Sequence, residues 1–120
     1  FERLLAGERP IVFGDGQQAL DYVYVDDVVH ATIAAMEHGA SGQVLNVGTG
    51  IATPVDTLVD TMIEVSGRQL DKLYEPPDWT AGSYRVGKVE EIDRTIGWRA
   101  TTSLRDGLER TFRWLATASR

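Results

Sequence analysis

A chain of 120 residues is long enough to build a core without disulfide or metal staples. It has no cysteine, which excludes a disulfide framework, a thiolate nucleophile and a cysteine metal site. A formal net charge of −6, with no basic run, argues against a nucleic-acid groove, and no apolar stretch approaches the length of a membrane span. With no disulfide to report on compartment, a cytoplasmic setting is the default. The chain opens on Phe1 rather than Met and is expected to be cut from a longer polypeptide.

Phe1 to Gly7 reads as the tail of a helix, and Pro10 to Phe13 as a short extended run before the Gly14-Asp15-Gly16 turn. Tyr22-Val23-Tyr24-Val25 has the β-branched and aromatic composition of a buried strand. Asp26 is placed to cap the helix that follows, which is apolar on nearly every side from Val28 to Met36 and stopped by Gly39. Gln43 to Val47 reads as an interior strand. Together these form a β–α–β crossover that needs neighbours on both faces. Thr53 is read as the cap of a second helix, with Pro54 at its first position and Asp56 completing the box. Val55, Leu58, Val59, Met62 and Ile63 give that helix its stripe, and Gly67 ends it. Pro76-Pro77 breaks regular structure, so Glu75 to Gly87 is expected to be a loop. Val89, Ile92 and Ile96 mark a short helix stopped by Gly97. Ser103-Leu104-Arg105-Asp106 caps a last helix whose buried stripe is Leu104, Leu108, Thr111, Phe112 and Leu115.

Several constellations could carry chemistry. Gly48-Thr49-Gly50 follows a strand and precedes a helix, but Thr53 stands where a dinucleotide fingerprint places its third glycine or alanine. Asp26 and His30 lie one helical turn apart, yet two ligands without a third do not make a metal site, and His38 does not supply it. Asp26 and Asp27 are adjacent and do not face one another as an acid–base pair would; a helix-start role explains Asp26. Tyr84 and Lys88 fit Tyr-x-x-x-Lys by spacing, but in a loop that spacing is a coincidence. Trp79, in a polar loop, can stack on a base or sugar or cover a hydrophobic face.

Phe13-Gly14-Asp15-Gly16-Gln17, then Asp21-Tyr22-Val23-Tyr24-Val25-Asp26-Asp27-Val28-Val29, then Asn46-Val47-Gly48, closely resembles the C-terminal half of the extended short-chain dehydrogenase/reductases, the NAD-dependent nucleotide-sugar epimerases and dehydratases. The likeness extends to Gly97-Trp98 and to Ser103 through Leu108, and so covers nearly the whole chain. It implies an α/β fragment: a β–α–β unit that normally completes the Rossmann sheet, plus a small α/β substrate-binding lobe. Residues 1–120 would be the C-terminal, substrate-binding part of such an enzyme, with the NAD-binding half absent. The parent would oxidise a sugar hydroxyl with bound NAD, then rearrange and reduce the keto intermediate. The family's catalytic tyrosine and lysine, and its cofactor glycines, belong upstream, so no catalytic, cofactor-binding or metal-binding residue is expected here.

The same resemblance assigns a substrate site. Arg85 matches an arginine that looks to the substrate diphosphate, and Phe13 and Ile11 match the run that lies along the nucleotide base. The bland alternatives are a solvated arginine and an ordinary core strand. Two departures stand beside these matches: Leu20 replaces an arginine that precedes Asp21 in the family, and Lys88 replaces an aspartate. An apolar side chain cannot substitute for a bidentate guanidinium contact. The expected function is therefore the substrate-binding portion of a nucleotide-sugar epimerase or dehydratase, inactive in isolation and homo-oligomeric. The alternative is a stand-alone binding or oligomeric interaction module derived from a truncated reductase gene.

Overall fold

The computed structural model describes residues 1–118 as a mixed α/β structure. Along the chain run α1 (Glu2–Leu5), β1 (Ile11–Phe13), β2 (Ala19–Leu20), α2 (Val25–Glu37), β3 (Thr53–Pro54), α3 (Val55–Ser66), β4 (Leu73–Glu75), β5 (Tyr84–Arg85), α4 (Glu90–Ile96) and α5 (Leu104–Ala118). Strands β1 and β4 form a parallel pair with Val12 opposite Tyr74. A second sheet has the order β3-β2-β5, antiparallel between β2 and β3 and parallel between β2 and β5.

Two apolar clusters hold these elements. On one side Leu4, Val12 and Val59 are buried, and α3 packs against α5, with Arg105 reaching Glu64 at 2.8 Å. On the other, Ala31 of α2 meets Ile92, Ile96 and Trp98. Ser103 Oγ accepts the Asp106 N–H at 3.1 Å, the expected cap of α5. Helices α3 and α4 end at Gly67 and Gly97 as the sequence predicts, both left-handed.

Four local expectations are corrected. First, Tyr22–Val25 is not a strand: β2 comes earlier, and α2 begins at Val25 with Tyr24 as its N-cap and no side-chain cap bond. Asp26 therefore sits inside the first turn, where it favours the dipole without capping. Asp27 has the larger role. Its side chain is buried, and it accepts from Thr101 Oγ1 at 3.1 Å and the Thr102 N–H at 3.0 Å, tying α2 to the approach of α5.

Second, Gln43–Val47 has no ladder partner among the described residues, and Val44 is exposed. Third, Thr53 belongs to β3 and does not cap α3; Pro54 is the N-cap. The first N–H groups of α3 are met by backbone instead: Val55 donates to the Gln18 carbonyl and Asp56 to the Gly16 carbonyl, each at 2.9 Å. Asp56 is thereby free to accept from Lys72 Nζ at 2.8 Å and from the Tyr74 hydroxyl. Fourth, the expected loop from Glu75 to Gly87 contains a strand at its end, because Tyr84–Arg85 adds to β2.

The result is a slab rather than a ball. Its extents are 47 × 35 × 18 Å and its radius of gyration is 16.5 Å, against about 14 Å for a compact chain of this length. Helix α2 buries only Asp27 and Ala31, leaving Val25, Val29, Ile33 and Met36 exposed along its outer side. The apolar composition that reads as burial on every face is buried on one. No helix among the described residues is long and apolar enough to cross a membrane.

Candidate functional site

The site is built on the β2–β5 ladder. Asp21 donates its N–H to the Arg85 carbonyl at 2.9 Å, and Ala19 donates to the Ser83 carbonyl at 3.0 Å. Leu20 and Arg85 are in-register partners. In-register residues of neighbouring strands project from the same sheet face, so the two side chains lie next to each other.

A ladder of two residues is short, and the carboxylate of Asp21 anchors its end. Its oxygens accept the Thr49 N–H at 2.9 Å, the Thr49 hydroxyl, the Gly50 N–H at 2.9 Å and the Gly87 N–H at 3.3 Å. Burial pushes this carboxyl upward, but the donors from Thr49, Gly50 and Gly87 together hold it below its ordinary value. A carboxylate held in its ionised form by donors of its own chain acts as a structural anion. The close fit also dictates Gly48, since a Cβ there would stand 2.6 Å from Asp21 Oδ2.

This arrangement decides the dinucleotide question for the Gly48-Thr49-Gly50 turn. The amides of Thr49 and Gly50, which a cofactor pyrophosphate would need, already point at Asp21. The turn does not fit a dinucleotide.

Arg85 is exposed, and its guanidinium carbon lies 6.0 Å from the centre of the Trp79 ring. Trp79 is itself 80% exposed. It rides on a turn in which Asp78 Oδ1 accepts from the Thr80 N–H at 2.9 Å and from the Thr80 hydroxyl at 2.5 Å. Ile11 and Phe13 share one face of β1, opposite the buried Val12. They line an apolar groove with Phe1, Leu4, Met62 and Leu115. Arg85 and the Ile11–Phe13 pair thus sit in different sheets.

One residue that sequence reasoning passed over joins the two sheets. Gln18 is 4% exposed, and its amide nitrogen donates to the Phe13 carbonyl at 3.1 Å and to Thr80 Oγ1 at 3.2 Å. The only signal was a polar side chain beside a strand that needed burial. A second missed cluster, Asp56, Asp60 and Lys72, puts Lys72 Nζ 2.8 Å and 2.7 Å from the two carboxylates. Asp56 and Asp60 are one turn apart on α3, which could have suggested a shared cation.

The remaining candidates do not assemble. Tyr84 lies on β5 and Lys88 beyond it, so a spacing of four places them on no common helix face. His30 is exposed on α2, His38 is its C-cap, and Asp26 leans toward Arg110 at 3.8 Å rather than forming a ligand set. Among the described residues no group of three or more potential ligands could hold a metal ion.

Comparison with known proteins agrees with this architecture. The sequence model of the NAD dependent epimerase/dehydratase family matches residues 1–48. The chain is 32% identical over 120 residues to the UDP-glucose 4-epimerase of Mycolicibacterium smegmatis, covering 98% of this chain and 38% of that protein. It superposes with a TM-score of 0.92 and 36% identity on the Thermotoga maritima UDP-glucose 4-epimerase solved with UDP-glucose, covering 99% of this chain and 38% of that one. It superposes with a TM-score of 0.78 and 25% identity on the Bacillus cereus UDP-glucuronic acid 4-epimerase in complex with NAD, covering 96% of this chain and 38% of that one. The chain thus spans well under half the length of the relatives it matches. It belongs to the NAD-dependent epimerase/dehydratase family of extended short-chain dehydrogenase/reductases, as the counterpart of a C-terminal portion of their fold.

Proposed function

We propose that this chain is the substrate-binding portion of an NAD-dependent nucleotide-sugar epimerase or dehydratase, and that it takes a uridine diphosphate sugar. The observation that carries this reading is the near-complete superposition on a UDP-glucose 4-epimerase whose structure contains UDP-glucose. Arg85 contacts the diphosphate as a charge-assisted donor, and Phe13 and Ile11 lie along the base. The nicotinamide cofactor belongs to the part of the fold beyond this chain. In support, the Thr49 and Gly50 amides of the Gly48-Thr49-Gly50 turn are taken up by Asp21.

Residues 1–120 are in this view one substrate-binding unit, and the outer side of α2 is the surface on which the cofactor half would rest. Alone, the chain binds nucleotide without turning a sugar over. Calorimetric titration with uridine diphosphate tests the assignment: wild type should bind, and Arg85→Ala should bind more weakly. Equal affinity in the two proteins would refute the site.

A second reading has its own observation. Val25, Val29, Ile33 and Met36 form an exposed apolar row on α2. Such a row suits a stand-alone oligomeric interaction module equally well.

A further inference from the structure

Gln18 is a buried amide, and burying an amide costs free energy unless its groups are paired. Here it is paired to two separate elements. Its amide nitrogen donates to the Phe13 carbonyl at the end of β1 and to Thr80 Oγ1 in the turn that carries Trp79. The Thr80 hydroxyl in turn donates to Asp78 Oδ1, so the hydroxyl accepts from Gln18 and donates to Asp78 in one directed chain. The backbone carbonyl of Gln18 does different work, accepting the Val55 N–H at the start of α3. The side chain thus adds a direct link from the end of β1 to the Trp79 turn, beside the β1–β4 ladder and the Gly14 N–H bond to the Glu75 carbonyl that lead into the same segment. Trp79 in turn faces the Arg85 guanidinium, a cation–π contact that narrows the orientations open to an otherwise exposed arginine.

We infer that Gln18 is a positioning residue that sets the spacing between the base contact at Phe13 and the phosphate contact at Arg85. The inference rests on the substrate site proposed above. A ligand with both a base and a diphosphate must meet both contacts at once, and its affinity depends on their relative placement. A ligand carrying one of the two parts does not.

Titrations with uridine diphosphate, uridine and inorganic pyrophosphate separate the possibilities. In Gln18→Leu, affinity for uridine diphosphate should fall about tenfold, while uridine and pyrophosphate bind as in wild type. Thr80→Val removes the acceptor and leaves Gln18 in place; it should show the same pattern, which guards against a variant that fails to fold. Unchanged affinity for uridine diphosphate in both variants overturns the inference. Parallel loss of all three ligands also overturns it, because that is the signature of a merely structural residue. Failure of wild type to bind uridine diphosphate, or indifference to Arg85→Ala, instead refutes the underlying site assignment.

Discussion

Leu20 and Arg85 stand side by side in register on neighbouring parallel strands. The cation that the resemblance expects before Asp21 is therefore missing from the position next to the one that is present. An arginine at position 20 would project from the same face as Arg85 and could share the same phosphates. On the proposed reading, Arg85→Ala weakens binding of uridine diphosphate by on the order of 2 kcal/mol. Leu20→Arg should tighten it, most clearly at low salt, where a second exposed cation is least screened. Calorimetry at two ionic strengths reads both effects.

Asp21 makes a separate prediction about stability. Its carboxyl titrates below its ordinary value in the fold, against about 3.9 in an unfolded chain. The ionised form thus favours folding: the contribution is complete above about pH 4–5 and disappears as pH falls through the folded-state value. Asp27 and Asp56 are shifted in the same direction and add to the same slope. For Asp27 burial opposes the shift and the Thr101 and Thr102 donors outweigh it; for Asp56 the Lys72 and Tyr74 donors lead. Urea midpoints measured between pH 3 and 7 should be flat in the neutral range and fall on the acid side. Asp21→Asn should lower the neutral plateau by on the order of 2 kcal/mol and flatten part of the acid slope. A midpoint that rises on acidification would contradict the assignment.

Gly48→Ala tests the same contact from the other side. The new methyl carbon would stand 2.6 Å from Asp21 Oδ2 and 3.2 Å from its Cγ. The carboxylate would have to withdraw from the Thr49 and Gly50 amides to admit it, so a loss of about 1–3 kcal/mol is expected. An alanine accepted at no cost, as judged by the thermal midpoint, would mean that Asp21 is not held where its four donors place it.

The amide count at that turn also bears on the cofactor. With the Thr49 and Gly50 N–H groups committed to Asp21, the isolated chain should show no heat on titration with NAD or NADH and no turnover of a nucleotide sugar. Micromolar cofactor binding would sink the proposal that the nicotinamide site lies elsewhere in the fold.

The motifs made the family resemblance legible, and the glycine stops and the Ser103 cap made helices α3, α4 and α5 legible. What the sequence hid were short-range decisions settled by distant residues. Two-residue strands such as β2 and β5 carry too few positions for alternation to register: β5 pairs with β2, and β2 with both β5 and β3, across long stretches of sequence. Thr53-Pro54 looked like a cap and first turn, yet the carbonyls of Gly16 and Gln18 arrive from far along the chain to satisfy α3. Asp27 looked like half of an acidic helix start, and Asp21 had no evident role. Both find their donors on segments remote in sequence. Of the site, Arg85, Phe13 and Ile11 were named by the family resemblance and not by any local pattern. The link through Gln18 was named by neither, because a single buried amide has no periodicity.

The last expectation concerns the surface of α2. Val25, Val29, Ile33 and Met36 recur at helical spacing on the side opposite Ala31, and Met36 is 80% exposed. Beside them the 43–47 segment has no ladder partner among the described residues, leaving backbone groups open to another chain. A slab only 18 Å thick has no second layer of its own to cover this side. Burying about 600 Å² of apolar surface at about 25 cal/mol per Å² gives roughly 15 kcal/mol gross, which is comparable to or larger than typical association costs. The chain should therefore self-associate in isolation, with a two-fold dimer the simplest closed form. Light scattering behind size-exclusion chromatography, from high to low micromolar concentration, should report a mass above that of one chain. Val29→Glu with Ile33→Glu should shift it to the monomer, since two carboxylates cannot be buried unpaired in such a contact. A folded wild-type monomer at every concentration, with no binding of a dye for apolar surface, would mean that the α2 face is covered from within.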